Sequence, residues 1–135
     1  MHGECVGIGT IMCARAYHEL AKRDTIEVKP YEPLDPAWVR DVFGDLADGI
    51  FKENENDVLK TFPPENIKEH WQEIRDVIAT IPTAEELIDL YTKIGAKHSL
   101  AELDIDESIR GEFLDISSAI RNRLTFARMT RLIVK

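Results

Sequence analysis

Residues 2–14 of the chain read HGECVGIGTIMCA, and this stretch sets the character of the fold. From Cys5 to Ala14 it holds no charged residue, whereas a surface helix carries polar residues along one face. A membrane-spanning helix needs about 20 apolar residues, so the stretch is too short to cross a bilayer. The pattern therefore predicts a helix from about Gly3 to Lys22 that is buried on most sides.

Two glycines lie inside this apolar run. Gly7 and Gly9 each lower the helix propensity by about 1 kcal/mol relative to alanine. A glycine in a helix interior is typical of a position where a neighbouring helix or a ligand comes close to the backbone. We therefore expect a close neighbour at each of the two positions.

His2 and Glu4 stand at the start of the predicted helix. Taken alone, a histidine next to the initiating Met favours an ordinary terminal residue over a metal ligand. Glu4 in the first turn would complement the helix dipole, whatever its other roles.

The segment from His2 to Thr10, His-Gly-Glu-x-Val-x-Ile-Gly-Thr, resembles the second metal-histidine segment of the iron-containing alcohol dehydrogenase and dehydroquinate synthase superfamily. Three later segments are similar to the glycerol-1-phosphate dehydrogenase branch of that superfamily. They are Pro-Thr-x-x-Glu-Leu at residues 82–87, Ile-Gly-Ala at 94–96 and the closing segment 120–128. The resemblance extends from His2 to about Leu132, with a variable middle.

This resemblance implies that His2 ligates a divalent metal, usually zinc, in an all-helical C-terminal metal-binding domain. Glu4 is a candidate for a residue that contacts the ligand His2 without binding the metal itself. It also implies hydride transfer between NAD(P) and a small phosphate substrate, in which dihydroxyacetone phosphate and sn-glycerol 1-phosphate are interconverted. The metal would polarise the reacting oxygen.

Arg121 and Arg123 lie near a predicted helix start and are candidates for binding the substrate phosphate. The alternative for both arginines is a solvated loop or a salt bridge, and no catalytic residue is assigned.

Members of the superfamily also carry a nucleotide-binding domain and further metal ligands ahead of the His-Gly-Glu segment. Residues 1–135 contain no Gly-rich phosphate-binding turn. A catalytic zinc needs about three protein ligands, and only His2 is recognised here. We therefore expect a single, incomplete helical domain over residues 1–135 that is part of a longer dehydrogenase and is inactive alone.

Two alternatives stay open. A dehydroquinate synthase-like lyase uses the same metal histidine, and a Lys- and Arg-rich phosphate and carboxylate site would mark it. The other alternative is a helical interaction module without chemistry.

The chain of 135 residues has a formal net charge of −8, which argues against a nucleic-acid partner because nucleic acids bind basic surfaces. Cys5 and Cys13 would lie about 12 Å apart along one helix, too far for a disulfide. We expect both to be small buried residues of a reducing, cytoplasmic compartment. No segment suits a signal peptide or a membrane span.

The rest of the chain predicts an all-α, antiparallel multi-helix array. Helix starts are indicated at Asp35-Pro36, Glu65, Thr83, Ser99, Asp106, and Asn122 or Thr125, and helix stops at Pro63-Pro64 and Gly95. The helix from Glu65 is expected to run to Thr80, and the last helix to about Val134. Ile67, Trp71, Ile74, Ile78 and Ile81 are expected on one helix face, and Ile109, Phe113, Ile116 and Ile120 are expected to face the core. Trp38, Val42 and Leu46 follow one another at helical spacing, in a helix that Gly44 and Gly49 weaken, and the helix from Thr83 carries Leu87, Leu90, Tyr91 and Ile94. We expect His18 and His70 to face solvent, and none of His18, His70 and His98 to bind a metal.

An apolar patch around Val6, Ile8 and Met12 is expected to stay uncovered when the superfamily's preceding helices are missing. Soluble monomers rarely expose apolar patches larger than about 300–600 Å². The sequence therefore predicts a homodimer in which residues 5–14 of two copies meet.

Overall fold

A computed structural model describes residues 2–103 and 107–135, without the side chains of His2, Glu4, Leu103 and Glu107. Over this part of the chain the fold is all-α, as the sequence predicts. The α-helices are α1 (His2–Ala21), α2 (Pro36–Phe43), α3 (Ala47–Glu53), α4 (Glu65–Glu69), α5 (Trp71–Ile78), α6 (Ala84–Lys93), α7 (Phe113–Ala119) and α8 (Phe126–Met129). Short 3-10 helices span Gly44–Leu46, Val58–Thr61, Ala101–Leu103, Glu107–Glu112 and Thr130–Leu132. The helix start predicted at Asp106 lies outside the described residues.

The chain divides into two compact units, each built from two separate stretches of sequence. Unit 1 comprises Met1–Asp24 and Trp71–Phe113, and unit 2 comprises Thr25–His70 and Leu114–Lys135. The expectation of a single domain over residues 1–135 stays a prediction.

In unit 1, α1 packs against α5 and α6. Its buried face includes Ile8 and Met12, which form a cluster with Leu100 and are flanked by Ile109 and Phe113. The side chains of Leu100, Ile109 and Phe113 cover this face, so the chain itself supplies the cover that α1 needs.

The opposite side of the first turns of α1 is exposed, so the prediction of burial on most sides is wrong there. Val6 is 54% exposed, and Cys5, expected to be buried, is also exposed. The patch predicted around Val6, Ile8 and Met12 is wrong for two of its members, because Ile8 and Met12 are buried. Small residues without charge are tolerated on either side of a helix, so the absence of charge from Cys5 to Ala14 did not require burial.

Aromatic rings approach α1 at its two inner glycines. A Cβ atom added to Gly7 would lie 3.0 Å from Tyr91 Cε2 and 3.3 Å from Tyr91 Oη. A Cβ atom added to Gly9 would lie 3.7 Å from Phe113 Cζ, an ordinary van der Waals contact. The expected close neighbour is therefore confirmed at both positions, and only at Gly7 is it tight enough to oppose a larger side chain.

We expect Gly9→Ala to raise the free energy of unfolding by up to about 1 kcal/mol, and Gly7→Ala to leave it nearly unchanged. At position 9 only the gain in helix propensity acts. At position 7 the new methyl group must displace the Tyr91 ring, and this overpacking offsets the gain. Urea unfolding of the two variants measures the difference.

The matched control is Gly7→Ala in a Tyr91→Leu background, where the propensity gain should return. If Gly7→Ala stabilises the wild-type chain as much as Gly9→Ala does, the Tyr91 ring does not restrict position 7.

The C-terminal end of α1 is capped by side chains of α5. Trp71 Nε1 donates to the Arg23 carbonyl at 2.9 Å, and Arg75 Nε donates to the Ala21 carbonyl at 2.9 Å. The last carbonyls of a helix have no partner within the helix, so the Arg75 bond satisfies one such acceptor of α1, and the Trp71 bond holds Arg23, two residues beyond the helix end. Trp71 is itself buried, which confirms its expected place in the core.

Most helix ends follow the predicted signals. The Asp35 carboxylate accepts from the Ala37 N–H at 3.0 Å, and the Thr83 hydroxyl accepts from the Glu86 N–H at 3.2 Å. Gly95 has a φ of 74°, as predicted for a left-handed C-terminal cap. The Ala96 N–H then reaches back to the Tyr91 carbonyl at 2.9 Å and the Gly95 N–H to the Thr92 carbonyl at 3.2 Å, which completes a Schellman motif.

Three predictions based on helical spacing are wrong. Gly44, with a φ of 53°, ends α2, so Leu46 leaves the expected face and is 70% exposed while Val39 is fully buried. The helix predicted from Glu65 to Thr80 is interrupted at His70, between α4 and α5. Ile120 follows the last residue of α7 and is exposed instead of facing the core. At Leu46 and Ile120 the α-helix has ended before the residue, whereas beyond the interruption at His70 the side chains of Trp71 and Ile78 are buried as predicted.

Unit 2 has its own core of Val39, Ala47, Ile50 and Ala119, with Leu34, Trp38, Phe43 and Phe51 packed against it. The predicted last helix begins at the Thr125 cap as expected, but its α-helical part ends at Met129. After the 3-10 turn, Ile133 forms an isolated antiparallel bridge with Val28. The C-terminal segment is thus joined to residues 27–29 by backbone hydrogen bonds.

Candidate functional site

The predicted metal ligand, His2, is the first residue of α1. The side chains of His2 and Glu4 lie outside the described part of the structure, so metal ligation by His2 and a supporting role for Glu4 stay predictions. Gly3 between them is exposed, and a Cβ atom added to it would meet nothing within 4 Å.

Two of the other histidines have contacts that the sequence did not reveal. A ring nitrogen of His18, Nε2, lies 2.8 Å from the Ile81 carbonyl, so this half-buried residue ties α1 to the segment between α5 and α6 and the prediction of a surface position is wrong. His98 Nε2 lies 3.6 Å from Glu102 Oε1, and Glu102 Oε2 accepts from the His98 N–H at 3.0 Å. His70 is exposed, as predicted. Among the side chains that the structure describes, no three of His, Cys, Asp and Glu converge to hold a metal ion.

Arg121 and Arg123, the candidates for binding a phosphate, are both exposed. The Arg123 N–H donates to the Arg121 carbonyl at 2.9 Å, which shapes the turn before α8. α8 has four residues, and its N-terminus is capped by the Thr125 hydroxyl, which accepts from the Arg128 N–H at 3.2 Å. The geometry places the two arginines in a solvated turn, and their role toward a substrate stays a prediction.

A charge cluster that the sequence analysis missed lies in unit 2, where Asp57 meets Arg128 and Arg131. Arg128 Nη1 lies 3.0 Å from Asp57 Oδ1, and Arg131 Nη1 lies 2.8 Å from Asp57 Oδ2. The side chains of Asp57 and Arg128 are 1% and 0% exposed. Ions buried this deeply lose their hydration, so their partners decide whether they stabilise the fold.

The guanidinium of Arg128 also binds the backbone around it. Its Nη2 donates to the Ser118 carbonyl at 2.5 Å and to the Arg121 carbonyl at 2.7 Å. Among the residues that the structure describes, Nε has no hydrogen-bond acceptor, and the contact of Nη1 with Asp57 is an ion pair without hydrogen-bond alignment. Arg128 therefore joins α7, the following turn and Asp57 from a fully enclosed position.

The electrostatics of the cluster favour an ionised Asp57. Burial raises the pKa of the Asp57 carboxyl, but the Leu59 N–H, Arg131 and Arg128 outweigh burial and hold the pKa below its ordinary value. Two guanidinium groups against one carboxylate leave an excess positive charge. Burial and the Asp57 charge together raise the pKa of Tyr31, whose ring lies 5.9 Å from the Arg131 guanidinium carbon.

The lowered pKa predicts how stability depends on pH. A carboxyl whose pKa is lower in the folded chain than in the unfolded chain stabilises the fold while it is ionised. This contribution is fully present above the pKa of the unfolded chain, 3.8, and is lost as the pH falls through the pKa of the folded chain. The difference in free energy of unfolding between the wild-type chain and Asp57→Asn should therefore be constant near neutral pH and shrink below about pH 4. Urea unfolding at a series of pH values measures it, and a difference that persists unchanged to about pH 2 would contradict the assignment.

Neighbouring bonds extend the cluster into a polar junction. Asn54 Nδ2 donates to the carbonyls of Ile50 and Ala119, both at 2.8 Å. The Asn122 N–H donates to Glu53 Oε1 at 3.0 Å. These bonds connect residues 53–57 to the residues around the end of α7, and the arrangement is suited to fixing the C-terminal segment and not to chemistry.

Unit 1 has a cleft of about 290 Å³ between α1 and α5. Its polar lining consists of His18, Lys22, Gln72, Arg75 and Asp76. Gln72 connects two of these groups, because its amide nitrogen donates to Asp76 at 2.8 Å and its oxygen accepts from Arg75 Nη1 at 2.9 Å.

None of the described helices is both long enough and apolar enough to cross a membrane. No protein-family model, no curated protein and no solved structure matches this chain.

Proposed function

We propose that this chain is the C-terminal helical part of a metal-dependent, NAD(P)-linked dehydrogenase of the glycerol-1-phosphate dehydrogenase kind, with His2 as a metal ligand. The observation that carries the proposal is the position of the His-Gly-Glu segment. It forms the first turn of an unbroken helix of 20 residues, and Gly3 within this turn is exposed. A ligand that must share its metal with a substrate needs such an accessible place.

The chain's own contribution to the chemistry would be a neutral imidazole nitrogen from His2, with Glu4 near it. The bound metal, zinc in this proposal, would supply Lewis-acid polarisation of the substrate oxygen. Among the described side chains no three of His, Cys, Asp and Glu converge, and a catalytic zinc takes about three protein ligands. We therefore assign no reaction step to these residues beyond metal binding.

The 135-residue chain alone is expected to show no dehydrogenase activity, because it offers neither a Gly-rich cofactor turn nor a full ligand set. The measurement is NADH or NADPH oxidation with dihydroxyacetone phosphate and added zinc. Typical enzymes turn over at about 10 per second, and a rate within tenfold of that would contradict the prediction.

The ligand assignment is tested in a longer protein that contains this chain. His2→Ala should lose bound zinc, measured by elemental analysis, together with dehydrogenase activity, because an incomplete shell holds the ion loosely. The matched control is His70→Ala, which removes an exposed histidine and should keep both zinc and activity.

Zinc and activity retained by His2→Ala would show that His2 is not a ligand. Activity absent from a longer protein that binds zinc through His2 would leave the dehydroquinate synthase-like alternative.

A helical interaction module is the second candidate function, supported by exposed apolar side chains in unit 1. Leu90 and Ile94 lie four residues apart near the end of α6, and both are more than half exposed. Residues with this spacing share one side of a helix and can contact a partner together. The predicted homodimer through residues 5–14 belongs to the same candidate, and its apolar contact is reduced to the exposed side around Cys5 and Val6.

A further inference from the structure

We draw no further inference here: the strongest candidate, the cleft between α1 and α5, selects no class of ligand, because its charged groups already face partners of unit 1, with Lys22 Nζ 3.0 Å from Glu19, Arg75 Nη2 3.5 Å from Asp24 and Asp76 bonded to Gln72.

Discussion

Asp57→Asn is expected to lower the free energy of unfolding by about 3–5 kcal/mol, which is the usual cost of removing one partner from a buried ion pair. Asparagine keeps the shape of the side chain and can still accept from the Leu59 N–H, which bonds Asp57 Oδ1 at 2.9 Å. What it removes is the negative charge, so that Arg128, with no exposed surface, is left as an uncompensated buried cation. Urea unfolding followed by circular dichroism measures the loss.

The matched control is Asp48→Asn in the same unit. Asp48 pairs with Arg40 at 3.7 Å, and its side chain is 89% exposed. Surface ion pairs contribute about 0–1 kcal/mol, so this variant should stay close to the wild-type chain. Equal losses for Asp57→Asn and Asp48→Asn would show that burial does not strengthen the Asp57 cluster.

A double variant separates the missing charge from other effects. Adding Arg128→Met to Asp57→Asn removes the stranded cation and should recover part of the lost stability, because apolar replacement of buried ions is often neutral or stabilising. Recovery should stay incomplete, since the Ser118 and Arg121 carbonyls lose their donor. A double variant that is less stable than Asp57→Asn by the full cost of Arg128→Met alone would mean that the two residues are not coupled.

The helix ends could be predicted from the sequence because their chemistry is local. Asp35, Thr83 and Gly95 each act through a bond or a backbone angle within three residues, so their neighbours in sequence contain the needed information. Helical spacing predicted burial correctly across the short interruption at His70, where Trp71 and Ile78 stay buried, but not beyond Gly44. Once Gly44 ends α2, the periodic pattern no longer indicates which later residues are buried.

The charge cluster could not be predicted, because its members are brought together by the tertiary fold. Arg131 lies 74 residues after Asp57, and Asp57 looks like one more polar residue of a turn. A weak signal was present in Arg128, a charged residue directly between Ala127 and Met129. Such a residue is either exposed or paired within the fold, and the spacing of residues along the sequence does not indicate which residue pairs with it. For His2 the information came from the resemblance of its segment, not from spacing.

The effect of a glutamate on α1 should depend sharply on which side of the helix receives it. Ile8→Glu is expected to unfold unit 1, with a loss above about 4 kcal/mol, because it places an unpaired carboxyl in an apolar cluster and removes a core side chain. Ile8 is 2% exposed, and its cluster includes Met12 and Leu100. Thermal unfolding and circular dichroism measure the loss. Since this variant removes the fold itself, it cannot report on association.

Val6→Glu is the variant that tests the homodimer. Val6 lies on the exposed side, so the substitution should change the free energy of unfolding by no more than about 0.5 kcal/mol. In a dimer in which residues 5–14 of two copies meet, it would bring two like charges together at the contact, and the mass measured by light scattering should fall to that of a monomer. The control is Val77→Glu, at an exposed valine of α5 outside residues 5–14, which should leave the mass unchanged.

A wild-type chain that is already monomeric at high concentration would contradict the homodimer outright. A dimer that survives Val6→Glu would place the contact elsewhere, with the exposed Leu90 and Ile94 of α6 as the next residues to substitute.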